Sequence, residues 1–409
     1  MRLSRSLLML ILLLLGLFNQ MPSMAADANP MIHQSGHTIV DGAGNLVELK
    51  GVNLEGWIQW EGVLFGISMF TSGSTIKERI RKLVGDESEQ SFEQGIHDNF
   101  VTEEDIARIS QLGYNSVRLP ITAQILEDPE RPFVYKKSGW DLIDRAVNWC
   151  EKYGVYAIID LHSAPGGQSK LPTCERFKDT DLLWGSEQNK RRTVEMWRAI
   201  ANRYSSRRIV AGYDLLNEPV LSDGSELVHL YKRIIDNIRS VDANHMVIIE
   251  GGKMASDFSM FDQPLCDNQM YSFHMYTWFG DDRRKRLAKY KLLADSQNVP
   301  LWVGEFGANT YQMIDTTTAM FNGMPEVAGW AYWTWKKAPS KYPGLATITL
   351  PADWTAVAKW ISLPLGLKPS LAKANRGLDD LVRATKLENT SWDTRMQQMI
   401  MHTQAKLIP

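Results

Sequence analysis

Cysteine is scarce in this chain: 409 residues hold three, Cys150, Cys174 and Cys266. An odd count leaves at least one thiol unpaired, so disulfides do not organise the fold. No C-x-x-C or H-x-x-x-H spacing surrounds them, which argues against a zinc site and leaves no metal expected. Cys150 falls in a helical run and reads as a small buried hydrophobe. Charge imbalance is missing as well. The net charge is −2 with both signs interspersed, so neither a nucleic-acid stripe nor an acidic tail is present. No Gly-rich phosphate loop follows the first strand, and no internal repeat or low-complexity segment occurs. The apolar run Leu7–Phe18 is shorter than the ~20 residues that span a bilayer. It follows Arg2 and Arg5 and leads to Ser23-Met24-Ala25, the pattern of a secretory signal peptide cleaved after Ala25. Residues 26–409 are therefore expected outside the cytoplasm, secreted or periplasmic, as a monomer free of the membrane.

What the chain does have is 14 tryptophans. Tryptophan suits a large core, and its flat face also suits stacking on a sugar ring. From Leu49 onward, short apolar runs alternate with amphipathic stretches. The strand-like runs are Leu49–Leu54, Asn115–Leu119, Tyr156–Leu161, Ile209–Leu216, Met246–Glu250, Met270–Met275, Leu301–Phe306 and Val327–Trp333. Helical patterns between them include Glu103–Leu112, Trp140–Tyr153, Asn189–Tyr204, Glu226–Val241, Arg283–Gln297 and Thr316–Met324. This alternation predicts an α/β fold, a (β/α)8 TIM barrel. Periodicity alone also fits an open doubly wound sheet; the missing phosphate loop counts against it. Two regions depart from the repeat. Residues 60–100 form an insertion, expected as a flap over the cleft, and residues 366–409 form an extension expected to pack on the barrel.

The ends of the strand-like runs carry the chemistry. They deliver Arg118, His162, Asn217-Glu218, His274 with Tyr276, Glu305, and Trp333 with Trp335. In a (β/α)8 barrel these ends converge on one mouth. Either histidine alone would pass for a core residue, but six such segments together are not explained by packing. Two carboxyls at a mouth suit glycosidic bond cleavage, in which one protonates the leaving oxygen and the other acts from the opposite face. Asn217 beside Glu218 is placed to hold a sugar hydroxyl, while Arg118 and Tyr276 are suited to keep Glu305 ionised. Trp333 is the better stacking candidate of its pair, and Trp278, soon after Tyr276 in the sixth loop, is a lesser candidate for the cleft, with packing elsewhere the favoured reading.

The ordered set Arg118, His162, Asn217-Glu218-Pro219, His274, Tyr276, Gly304-Glu305-Phe306-Gly307 and Trp333 resembles glycoside hydrolase family 5, the cellulase family of clan A. The resemblance spans Gly51-Val52-Asn53-Leu54 to Trp333-Thr334-Trp335-Lys336. It implies a retaining mechanism without a cofactor, with Glu218 as general acid/base and Glu305 as nucleophile. It further implies that Asn217 binds the sugar 2-hydroxyl and that Arg118 and Tyr276 orient Glu305. Gly51–Trp57 followed by Glu61, and Phe100–Asp105, resemble the exo-1,3-β-glucanase branch, where the residue matching Glu61 binds the terminal sugar. Departures exist. Glu55 stands where that branch's opening motif has its second glycine, Ile121-Thr122-Ala123 replaces an aromatic pair, and Ser169–Phe177 is unlike the branch. The expected partner is a β-linked glucan, 1,3- or 1,4-linked. Alternatives are β-mannan, a glycosylated lipid or steroid, or a sugar-binding barrel without activity.

Overall fold

The computed structural model describes residues 31–174, 182–277, 281–341, 343–365 and 367–402. The predicted leader and Trp278 lie outside the described residues. Eight parallel strands close into a barrel: β1 (Leu49–Asn53), β2 (Ser116–Thr122), β3 (Tyr156–Ser163), β4 (Val210–Asp214), β5 (Met246–Glu250), β6 (Gln269–Tyr276), β7 (Leu301–Gly307) and β8 (Val327–Tyr332). Each pairs with its neighbour in sequence, and β8 closes on β1. Strands covered on both faces read as unbroken apolar runs, and β5, Met-Val-Ile-Ile-Glu, is buried at every position. The expected (β/α)8 barrel is the observed one.

Inside the lower barrel, Leu49, Ile158, Met246, Ile248, Met270 and Trp302 form an apolar plug. The polar groups are thereby left to the opposite, C-terminal end of the strands. Helices α1 (Gly73–Val84) and α2 (Asp86–Asn99) belong to the insertion. The outer layer continues with α3 (Glu103–Gln111), α4 (Lys137–Tyr153), α5 (Glu187–Tyr204), α6 (Gly224–Arg239), α7 (Arg283–Gln297) and α8 (Tyr311–Asn322). Local chemistry sets their ends. The backbone N–H of Thr102 donates to Asp105 Oδ2 at 2.8 Å in a reciprocal capping box that starts α3. Gly154, at φ 65°, ends α4 in the left-handed conformation. Cys150 is fully buried on α4, and burial pushes its thiol up to about 12.

The insertion differs from the flap expected of it. Helices α1 and α2 pack against α9 (Ala352–Ser362) and α10 (Leu371–Ala384) from the C-terminal part of the chain. The indole of Trp354 donates to the Phe65 carbonyl at 2.8 Å, and the Ser68 backbone N–H to Ser362 Oγ at 2.9 Å. Burial of Phe92 and Ile96 against these partners makes α2 a helix despite its polar sequence. The stretch before α1 is held by a bridge between Glu61 and Ser72 and carries Glu61 to the barrel mouth. Further on, Thr390–Trp392 pairs with Ala346–Ile348, and Thr394–His402 packs on α8.

Candidate active site

Glu218 and Glu305 come from β4 and β7. Glu218 lies four residues past β4 with its backbone in the left-handed region, φ 45°, which a non-glycine residue adopts only when its surroundings enforce it. Here the enforcement is visible. The Glu218 N–H donates to Glu250 Oε2 at 2.7 Å, and Glu218 Oε1 sits 2.8 Å from His274 Nδ1. Glu305 lies within β7. Its Oε1 accepts from Arg118 Nη1 at 2.8 Å and its Oε2 from the Tyr276 hydroxyl at 2.6 Å. Gly304 beside it is required for space, because a Cβ there would lie 2.4 Å from Ser272 Oγ and 3.1 Å from His274 Nε2. One oxygen each of Glu218 and Glu305, with a nitrogen of His274, fall within 4.8 Å of one another.

Beneath the pair, Arg118 is fully buried. Its guanidinium donates to Asp214 Oδ2 at 2.8 Å, Asn217 Oδ1 at 2.9 Å and Glu250 Oε1 at 2.9 Å, and stands 3.2 Å from Asp160 Oδ1. Burial opposes a charge here, yet Asp160, Asp214, Glu305 and Glu250 outweigh it and hold the guanidinium firmly protonated. The same balance separates the two mouth carboxyls. Burial raises Glu218, and Glu305 and Glu250 add to that, against the opposing pull of His274. Burial would also raise Glu305, but His274, Arg118, His162 and the Tyr276 hydrogen bond bring it down to about 2. Burial works against a charge on His274, while Glu305 and Glu250 prevail and keep it protonated well above its usual range. The pair thus divides into a carboxyl whose hold on its proton is strengthened and one whose hold is weakened.

The other side of the mouth centres on His162. Its Nδ1 is 2.8 Å from Asp160 Oδ2, and its Nε2 is 3.2 Å from Asn217 Nδ2. The same Nε2 lies 3.8 Å from Glu55 Oε1 and 3.9 Å from Glu61 Oε1. The Trp333 indole N–H donates to Glu55 Oε2, Lys337 Nζ lies 4.1 Å over the Trp333 ring, and Tyr276 meets that ring edge-on at 6.2 Å. The sets Glu55–His162–Glu305 and Glu218–His274–Glu305 have the spacing of metal ligands. In both, Glu305 already has its counter-charge in Arg118.

Of the residues singled out from sequence, Glu61, Arg118, His162, Asn217, Glu218, His274, Tyr276, Glu305 and Trp333 meet at this mouth. Trp335 does not. It is fully buried, donates its indole N–H to Asp105 Oδ1 at 2.9 Å and packs edge-on against Trp392. β8 ends at Tyr332, and Trp335, three residues past it, turns into the core instead of the mouth. The sequence reading missed Glu250, Asp214 and Glu55 as site residues. Glu250 ends β5 and was open to the same strand-end argument.

The sequence model of the cellulase family (glycosyl hydrolase family 5) matches residues 84–339. A β-xylosidase from Phanerodontia chrysosporium is 32% identical over 290 residues, covering 67% of this chain and 60% of that protein. Endoglucanase C from Acetivibrio thermocellus is 32% identical over 194 residues, 46% of this chain and 54% of that protein. A probable glucan 1,3-β-glucosidase A from Aspergillus clavatus is 26% identical over 215 residues, 51% of each. The chain therefore spans between half and three-fifths of the length of these relatives.

Proposed function

Because the chain belongs to the cellulase family, glycosyl hydrolase family 5, we propose that it hydrolyses β-linked glucans with retention at the anomeric carbon. The observation that carries the mechanism is the approach of Glu218 and Glu305 oxygens to within 4.8 Å. Retaining enzymes place their carboxyls ~5–5.5 Å apart, whereas inverting enzymes leave ~6.5–9.5 Å for a water. In the first step Glu305, ionised, attacks the anomeric carbon while Glu218 gives its proton to the leaving oxygen. His274, at 2.8 Å, then faces the carboxylate that Glu218 has become. In the second step Glu218 takes a proton from water, which displaces Glu305 from the sugar. Arg118 and Tyr276 hold both oxygens of the nucleophile in place, and the Asn217 amide is fixed by Arg118 for the 2-hydroxyl.

Glu61, carried to the mouth by the Glu61–Ser72 bridge, supports attack at a chain end. The sequence of residues 1–25 supports export. The test is turnover of laminarin, carboxymethyl cellulose, mannan and aryl β-glucosides, with the anomer formed first read by NMR. Retention gives the β-anomer first. Failure to cleave any glucan would sink the substrate reading, and an α-anomer formed first would sink the mechanism. Release of single sugars before oligosaccharides checks chain-end attack, and an N-terminus at Ala26 in protein recovered outside the cell checks export.

A further inference from the structure

Glu55 is the residue at this mouth that departs from the motif it sits in, a carboxyl in place of a glycine. It is fully buried, and its two oxygens have different fates. Oε2 accepts from the Trp333 indole. Oε1 is sealed from solvent and has no hydrogen-bond partner among the described residues. A buried acceptor or donor left unmade costs free energy, so a second partner is expected in the working state. The surroundings show where it belongs. His162 Nε2 lies 3.8 Å from Glu55 Oε1 and 3.9 Å from Glu61 Oε1. Those gaps are too long for direct hydrogen bonds. They leave room for a hydroxyl oxygen between the imidazole and the two carboxyls.

The protonation states match a hydroxyl. Burial raises the Glu55 carboxyl well above its usual range, and Glu305 and Glu61 add to this against His162. A neutral Glu55 accepts from the indole with one oxygen and keeps an O–H on the other. Burial disfavours charge on His162, but the Asp160 carboxylate 2.8 Å from Nδ1 works against it, and Nε2, 3.2 Å from the Asn217 amide nitrogen, borders the gap. A hydroxyl accepts twice and donates once. Glu55 supplies a donor and Glu61 an acceptor, while His162, held between Asp160 and the Asn217 amide, walls the gap. Glu61, whose side chain is 14% exposed against 0% for Glu55 and 2% for His162, is the wall with room to yield as the guest enters.

We propose that Glu55, together with His162 and Glu61, receives one hydroxyl of the glycone, making Glu55 a specificity-determining residue of this chain. The proposal rests on the glycosidase reading above. The test is a cycle of kcat/KM for an aryl β-glucoside and its 3-, 4- and 6-deoxy forms on the wild type, Glu55→Ala and Glu55→Gln. One deoxy substrate is expected to lose about 30-fold or more on the wild type and less than about threefold on Glu55→Ala. Glu55→Gln, whose amide both accepts from the indole and donates, keeps the larger penalty. Equal penalties on wild type and Glu55→Ala for all three substrates overturn the proposal. So does a Gln variant that discriminates no better than Ala. If Glu55→Ala does not fold, Glu55→Asp, one methylene shorter, replaces it with the same expectation. Absence of turnover by the wild type defeats the glycosidase reading instead. The same cycle is then read as binding of methyl β-glucoside and its deoxy forms by calorimetry.

Discussion

Around His274 the polar atoms touch, and around His162 they stand apart. His274 lies 2.8 Å from Glu218 and 3.2 Å from Glu250, and the Glu250 carboxyl also takes the Glu218 backbone N–H and an Arg118 N–H. His162 meets Asp160 at 2.8 Å and the Asn217 amide at 3.2 Å but faces Glu55 and Glu61 across gaps of 3.8 and 3.9 Å. The two histidines share Glu305 as a neighbour, so distance to the reaction does not separate them. Partner spacing does. A network of close ion pairs fixes charge and geometry before substrate arrives, whereas wider gaps between carboxyls and an imidazole leave room for a guest. The first group is therefore built for chemistry and the second for recognition.

Removing the residue common to both groups has the largest expected effect. Glu305→Ala lowers kcat/KM by about 10⁵-fold, and azide restores turnover with a product of inverted anomeric configuration. Full hydrolysis by that variant would refute the nucleophile. Within the His274 group, Glu218→Gln costs about 10²- to 10⁴-fold on substrates with poor leaving groups. Its pH profile is as telling as its rate. In the wild type, kcat/KM rises as pH climbs through the Glu305 value of about 2 and falls as pH climbs through a Glu218 value raised above the usual carboxyl range. The alkaline fall is expected to vanish in Glu218→Gln, and its persistence would assign it to another group. Glu250→Ala tests whether the close contacts themselves matter. With its contacts to His274, Arg118 and the Glu218 backbone gone, kcat is expected to drop about 10- to 100-fold with KM little changed. A change confined to KM would mean that the His274 group binds substrate as the His162 group does. The smallest effect belongs outside both groups. Trp335→Phe loses the Asp105 hydrogen bond and about 1 kcal/mol of stability by denaturant titration, with kcat/KM unchanged.

Much of this was legible in the chain. All eight strands show as short apolar runs because a parallel sheet is covered on both faces, and the chemistry clusters at their C-terminal ends because the barrel plug is apolar. The losses share a cause, which is pairing over long separations. Asp214 lies within an apolar strand and is tolerable there because Arg118 arrives from 96 residues away. Glu55 takes its meaning from Trp333, 278 positions on. The polar sequence of α2 gives little sign of a helix, and its apolar partners come from the far end of the chain. Trp335 failed for a local reason: it was placed with the strand-end residues although it lies three residues past the end of β8.

The contacts of α1 and α2 with α9 and α10, and of Ser68 with Ser362, tie an early insertion to late helices. During synthesis the segment that carries Glu61 emerges long before the helices that steady it. Contacts of such sequence separation form late, since loop closure precedes any gain from them. Barrel closure of β8 on β1 spans a similar separation, but β8 emerges before α9 and α10, so the barrel and its two glutamates are able to assemble first and the wall at the Glu61 end is completed last. A chain cut short before α10 would keep the reactive pair and lose the support of that wall, cleaving with less discrimination.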